Sequence, residues 1–143
     1  MVNATPDGLP VGQAVFREFA ADQREVAHAR AVVRATCDQW GVPLEVTDEL
    51  TLLVSELVTN AILHAASAVR LALIAEQDAV RLEVHDDLAT RPAARPVSEG
   101  TAGGRGLHIV EAVTSKWGVR RHGAGKCIWA EVPVRQPGGP AGG

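Results

Sequence analysis

The sequence is poor in the residues that mark several classes of protein. Its two cysteines, Cys37 and Cys127, are far apart and show no Cys-x-x-Cys spacing. The sequence therefore predicts neither a zinc site nor a disulfide framework, and both thiols are interpreted as small core-side residues. The histidines likewise have no spacing that suggests a metal. Aromatic residues make up only 3% of the chain, so alanine, valine and leucine must fill most of the core.

The chain also lacks an excess of positive charge and any long apolar run. Its formal net charge is −3 and its pI is about 5.9, which argues against a nucleic acid as the main partner. No apolar run approaches the roughly 20 residues that cross a bilayer. Residues 1–10 do not show a signal-peptide pattern. We therefore expect a cytoplasmic protein with no membrane contact.

What is present is the composition of one globular domain. Hydrophobic residues make up 46% of the 143 residues and charged residues 22%, which excludes a disordered chain and leaves room for one core. We predict a flexible N-terminus over 1–10, a folded domain over 11–135 and a disordered Gly/Pro tail over 136–143.

Hydrophobic periodicity predicts an α+β fold. The predicted elements, in chain order, are a strand at 11–19, helices at 22–40 and 47–65, strands at 69–75 and 79–85, a helix at 107–116, and strands at 117–121 and 126–134. Tight turns join consecutive strands, so the sheet should be mixed but mainly antiparallel, with helices covering one face in a two-layer sandwich. The segment 86–104 resembles a functional lid or a disordered loop.

The second predicted helix carries two stripes. Its core stripe comprises Leu50, Val54, Leu57, Val58, Ala61 and Ala65. A second stripe of Glu49, Glu56, Asn60 and His64 lies roughly 110° away. Asn60 could supply an oxygen ligand to a hydrated cation, and Glu56 could handle a proton. The alternative is an ordinary solvated flank.

Two further segments could contact a ligand. Gly103 to Gly106 precede an apolar helical pattern, where free backbone N–H groups can bind an anion; the alternative is a flexible linker. Neither the Walker A motif nor the dinucleotide fingerprint is matched. Asp86 and Asp87 end a strand, where a carboxylate could accept a hydrogen bond from an exocyclic amine. The alternative there is a turn-forming role.

Taken together, these segments resemble one family. LLVSELVTNAILHA (52–65) is similar to the N box of the GHKL, or Bergerat-fold, ATPases, and more narrowly to that of the anti-sigma-factor serine/threonine kinases. The resemblance continues through LEVHDD, AGGRGLHIVEAVTSKWGV and GKCIWAEV. It covers roughly residues 11–134 in the same order.

The resemblance implies a role for three polar side chains. Asn60 matches the asparagine that coordinates the Mg²⁺ ion bridging the ATP phosphates. Glu56 matches the proposed general base, and Asp86 matches the aspartate that binds the adenine amino group.

The same resemblance assigns the glycine-rich segment to the phosphates. Gly104 and Gly106 match the glycines whose backbone amides approach the phosphates, and Arg105 lies where it could reach the γ-phosphate. Leu107 completes this segment.

Three positions depart from the family pattern. Leu88 and Thr90 replace the two glycines of the first glycine box, which puts the hinge of the lid in doubt. Cys127 stands where a threonine hydroxyl usually supports the hydrogen bonds between adenine and its aspartate. Loss of one such bond would cost about 1 kcal/mol, roughly fivefold in affinity.

The leading hypothesis is an ATP- and Mg²⁺-dependent anti-sigma factor that is also a serine/threonine protein kinase. Its expected partners are a STAS-type anti-anti-sigma protein, which it would phosphorylate, and a sigma factor; the resemblance also implies a homodimer. The first alternative is a non-catalytic ATP-binding module that gates a protein partner. A fragment of a sensor histidine kinase and a domain that binds no nucleotide are the remaining alternatives.

Overall fold

The computed structural model describes residues 8–64, 68–87, 114–122 and 125–134. These residues form two helices and five strands. In chain order they are β1 (Ala14–Phe19), α1 (Glu25–Trp40), α2 (Leu44–His64), β2 (Val69–Ala75), β3 (Ala79–Asp87), β4 (Lys116–His122) and β5 (Gly125–Pro133).

The five strands form one sheet in the order β1-β2-β3-β5-β4, and every neighbouring pair is antiparallel. Helix α2 packs against β2, β3 and β5, and α1 packs against α2 and β1. Side chains from both helices and from the sheet meet in one hydrophobic core. The predicted α+β sandwich, with helices layered on a mainly antiparallel sheet, is thus confirmed.

The sequence predicts the end of α1 better than its start. Gly41 adopts a left-handed conformation with φ 73°, and the N–H of Val42 donates to the carbonyl of Cys37 at 2.9 Å, which closes the helix as expected. The helix begins at Glu25, three residues after its predicted start at Asp22. The Asp22 carboxylate accepts the backbone N–H of Arg24 at 2.9 Å in a turn that precedes the helix.

Helix α2 begins at Leu44, three residues before its predicted start at residue 47. The hydroxyl of Thr47 donates to the carbonyl of Pro43 at 3.1 Å, a bond made within the first turn rather than at a cap. Pro43 immediately precedes the helix, and the fixed φ of proline suits a helix start. The predicted core stripe is buried from Leu50 to Ala61, and Leu53 belongs to it as well. Ala65 lies outside the described residues.

Residues along β3 alternate between the two faces of the sheet. Val80, Leu82 and Val84 are buried in the core beneath the helices. We call the opposite side, away from α1 and α2, the outer face. Its side chains from the middle of β3 and β5 include Arg81, Glu83, His85, Cys127, Trp129 and Glu131.

Other sequence predictions fall partly outside the described residues. Of the predicted helix at 107–116, only the last three residues are described, and there Lys116 already opens β4. The segments 88–113 and 135–143 lie outside. Within the described ranges, no helix is both long and apolar enough to cross a bilayer.

Candidate nucleotide-binding site

The buried face of β3 ends in a carboxylate. Asp86 continues the alternation of Leu82 and Val84, so its side chain points toward the helical layer, and only 1% of the residue is exposed. Transfer of a charged carboxylate into a protein interior is costly unless it is paired and hydrogen-bonded. The burial of this carboxylate is therefore explained more readily by a functional role than by packing.

The partner of Asp86 is a lysine that the sequence analysis missed. Lys126 lies directly opposite Asp86 in the register of β3 and β5, and its Nζ is 3.5 Å from Oδ2 of Asp86. Only 5% of Lys126 is exposed. The one sequence signal for it was its position as the residue after Gly125 at the start of a predicted strand.

Gly125 allows the two strands to approach at this point. A Cβ atom placed on Gly125 would lie 2.5 Å from the backbone oxygen of Asp86, closer than real contacts allow. Any side chain here would therefore push β5 away from β3 and move Lys126 from the carboxylate. The absence of a side chain at Gly125 thus allows Lys126 to lie beside Asp86.

Helix α2 supplies the second group of predicted site residues. Asn60 is buried, with 9% of the residue exposed, and Glu56 is half-buried one turn earlier. Spacing by four residues makes them neighbours on one side of the helix, and α2 packs directly on β3. A buried carboxamide and a half-buried carboxylate do not fit the alternative of a fully solvated flank.

Cys127 lies on the opposite face of the sheet from Asp86. Lys126, not Cys127, faces Asp86; Cys127 pairs with His85 and lies on the outer face, beside Glu83 and His85. The role of its thiol in the hydrogen bonds around adenine stays a prediction. Burial, and secondly the charge of Glu83, raise the pKa of this thiol to about 11.

The predicted phosphate-binding residues lie outside the described part of the chain. Gly104, Arg105, Gly106 and Leu107 fall in this range, as do the departures Leu88 and Thr90. Their roles stay predictions. The candidate site residues that the structure describes are Glu56, Asn60, Asp86, Gly125 and Lys126.

Comparisons with known proteins identify the family. The model of the histidine kinase-like ATPase domain matches residues 19–132, which is most of the chain. The chain therefore belongs to the histidine kinase-like ATPase domains, as the resemblance predicted. No functionally curated protein matches the sequence.

Solved structures show the same fold. The RsbU and RsbW domains of Rv1364c from Mycobacterium tuberculosis match with a TM-score of 0.65 and 19% identity, over 87% of this chain and 33% of theirs. The blue-light activated histidine kinase EL346 of Erythrobacter litoralis matches with a TM-score of 0.59 and 25% identity, over 78% of this chain and 41% of its own. The chain thus spans less than half of these two structures.

The described residues fit a bound adenine nucleotide. Each oxygen of a carboxylate has more than one lone pair, so Asp86 can accept a hydrogen bond from an exocyclic amine while it faces Lys126. The edge of adenine presents an amine, which donates, next to a ring nitrogen, which accepts. The Lys126 ammonium is a donor beside the Asp86 acceptor, so the two side chains match this edge. Asn60 offers a carboxamide oxygen, a ligand suited to Mg²⁺.

Proposed function

We propose that this chain binds ATP with Mg²⁺ and acts as an anti-sigma factor that is a serine/threonine protein kinase. The observation that carries the proposal is the buried Asp86, which faces Lys126 at the end of β3 beneath the helix that bears Glu56 and Asn60. Membership of the histidine kinase-like ATPase family supports ATP as the ligand.

Each side chain has a distinct task in this proposal. Asp86 accepts the amine of adenine, and Asn60 holds the metal ion through its carboxamide oxygen. Mg²⁺, when bound, offsets the negative charge of the phosphates. Glu56 accepts the proton of the attacking serine or threonine hydroxyl. Gly104, Arg105, Gly106 and Leu107 are proposed to hold the phosphates through backbone amides and the guanidinium group.

The proposed substrate is a hydroxyl of a STAS-type anti-anti-sigma protein, and the second proposed partner is a sigma factor. This choice is supported by the N-box resemblance and by the similarity in fold to the RsbU and RsbW domains of Rv1364c. A cytoplasmic location and a homodimer belong to the same proposal.

ATP binding is tested by two neighbouring aspartates. Asp86→Asn removes the buried acceptor and should weaken ATP binding by roughly 10- to 100-fold, the loss typical of a hydrogen bond to a charged group. Asp87→Asn is the matched control, because Asp87 points to the other face and pairs with Arg70 at 3.6 Å. Calorimetric titration with ATP and Mg²⁺ measures both, after circular dichroism has shown that each variant is folded. Equal affinities for the two variants would contradict the proposed adenine site.

Phosphoryl transfer is tested separately on α2. Glu56→Gln should bind ATP but transfer labelled phosphate to an anti-anti-sigma protein at least about 100-fold more slowly, since general-base catalysis contributes that much. Glu49→Gln, two turns earlier on the same stripe, should transfer at the wild-type rate. A Glu56→Gln variant as fast as the wild type would exclude the base role.

The second candidate is an ATP-binding module without kinase activity. The replacement of two family glycines by Leu88 and Thr90 favours it, because a stiffer hinge would hinder closure over the phosphates. Such a protein would bind ATP in the titration above, yet transfer phosphate to none of the anti-anti-sigma proteins tested.

A further inference from the structure

Three side chains with metal-binding chemistry meet on the outer face, on the opposite side of the sheet from Asp86. Glu83 and His85 are two apart on β3, and Cys127 is the register partner of His85 on β5. A carboxylate oxygen, an imidazole nitrogen and the sulfur atom of these residues all lie within 4.8 Å of one another. The Nε2 atom of His85 is 3.0 Å from Oε1 of Glu83.

These three donors suit zinc. Zinc bonds to oxygen, nitrogen and sulfur measure about 2.0–2.3 Å, so the ligand atoms around one tetrahedral ion lie roughly 3.3–3.6 Å apart. The observed separations, 3.0 Å between Nε2 of His85 and Oε1 of Glu83 and at most 4.8 Å among the three atoms, lie on either side of these values. We propose that Glu83, His85 and Cys127 form a zinc-binding site with a fourth position open to water or another ligand.

The charges around the three residues fit a divalent ion. Coordination displaces the thiol proton of Cys127, so the thiolate and the Glu83 carboxylate together balance the two positive charges of zinc. Arg81 adds no uncompensated charge, because its Nη1 pairs with Oε2 of Glu131 at 3.2 Å. Arg70, opposite His85 on β2, pairs with Asp87 at 3.6 Å. Arg120, opposite Cys127 on β4, also opposes the ion, and its exposure leaves it room to turn toward solvent.

Neighbouring contacts also hold the carboxylate ready. Arg81 donates from Nε to Oε2 of Glu83 at 2.8 Å, and its guanidinium stacks over the Trp129 ring at 4.4 Å. Oε1 is thereby left directed at His85. Outer contacts of this kind orient metal ligands and raise affinity in known sites.

The three-residue cluster borders a groove through His85. The groove, of about 350 Å³, runs along β1 and β2, and His85 forms part of its wall together with Phe16, Arg70 and Ala72. A groove beside an incompletely coordinated ion gives water or a small anion a path to it.

Cobalt is the direct probe, because Co²⁺ bound to a thiolate absorbs in the near ultraviolet. The wild-type chain should show this band at one Co²⁺ per chain and lose it when Zn²⁺ displaces the cobalt. The two cysteines give a matched pair: Cys127→Ser should abolish the band and weaken Zn²⁺ binding by more than about 100-fold, beyond the loss typical of outer contacts. Cys37→Ser, in α1, should behave as wild type.

Two conservative variants test the remaining ligands. Glu83→Gln and His85→Gln should each keep the thiolate band but weaken Zn²⁺ binding, measured by competition with a chromogenic chelator on variants shown to be folded by circular dichroism. The proposal is overturned if the wild type gives no cobalt–thiolate band, if the band depends on Cys37, or if Cys127→Ser binds Zn²⁺ as tightly as the wild type. None of these measurements depends on ATP, so they test the zinc site independently of the proposed kinase activity.

Discussion

Lys126 brings an ammonium ion into the protein interior beside the Asp86 carboxylate. Removal of two charges from water costs several kcal/mol for each ion, and their mutual attraction offsets this cost only in good geometry. At 3.5 Å the pair is an ion pair rather than a short hydrogen bond. Such an arrangement is weak evidence for stability, and it is better explained by the task of recognising a ligand.

Removal of one partner should therefore be costly. Lys126→Met leaves the buried Asp86 without its ammonium partner, and we expect a loss of about 3 kcal/mol in the free energy of unfolding. The double variant Asp86→Asn/Lys126→Met should lose less than the two single variants together. Urea unfolding of the four proteins gives this coupling. A loss below about 1 kcal/mol for Lys126→Met would instead indicate a pair that behaves like one on the surface.

The neighbours Lys126 and Cys127 also show a limit of sequence analysis. Adjacent residues of a strand point to opposite faces, and a shift of one residue in register exchanges them. The sequence predicts a strand here, but the pairing of β3 with β5 decides which side chain faces Asp86. The same cross-strand pairing brings Cys127 to His85, a cluster that spacing along the chain cannot reveal.

At the scale of elements, hydrophobic periodicity predicted the bounds of a strand better than local capping residues predicted the start of a helix. Strand β2 has the predicted bounds, because alternation and the turn at 76–78 both mark it. The start of α2 was misplaced, since Thr47 and Asp48 are good caps in isolation while Pro43 already permits the helix to begin. Capping signals compete, and tertiary packing selects among them.

Gly41 provides a test of how α1 ends. A Cβ at this position would have no atom within 4 Å, so the cost of a side chain is purely conformational. Gly41→Ala should lower the free energy of unfolding by about 1 kcal/mol, because only glycine adopts the left-handed region freely. Gly41→Asn should lose less, since asparagine tolerates this conformation. Thermal unfolding compares the three proteins, and an alanine variant as stable as the wild type would argue against the left-handed end.

At the scale of the whole molecule, the family and the order of the described elements were predictable, because they depend on motifs spread along the chain. The exposure of each face of the sheet was not predictable. Phe16, for example, belongs to the strand predicted at 11–19, and 68% of it is exposed, because β1 lies at the sheet edge and presents Phe16 on the outer face. Exposure of this kind follows from the arrangement of layers rather than from residue type.

The two buried thiols couple the stability of the whole fold to alkaline pH. Burial raises the pKa of Cys37 and of Cys127 from 9.0 to about 11. A thiol whose folded pKa is raised contributes stability that is complete below pH 9 and is lost as pH rises toward 11. The free energy of unfolding in urea should fall over this interval. The fall should be smaller for Cys37→Ala/Cys127→Ala, and an identical fall would show that the thiols do not cause it.

Strand β1 lies at the edge of the described sheet, and both helices separate it in sequence from its partner β2. The β2–β3 hairpin closes over a turn of three residues, whereas β1 can dock only after a long loop has closed, which costs more chain entropy. Strand β1 should accordingly dock after the β2–β3 hairpin has formed and detach from it before the hairpin itself opens. Hydrogen exchange at the amides of β1 would then report local opening, while the amides of β3, between two strands, report unfolding of the whole domain.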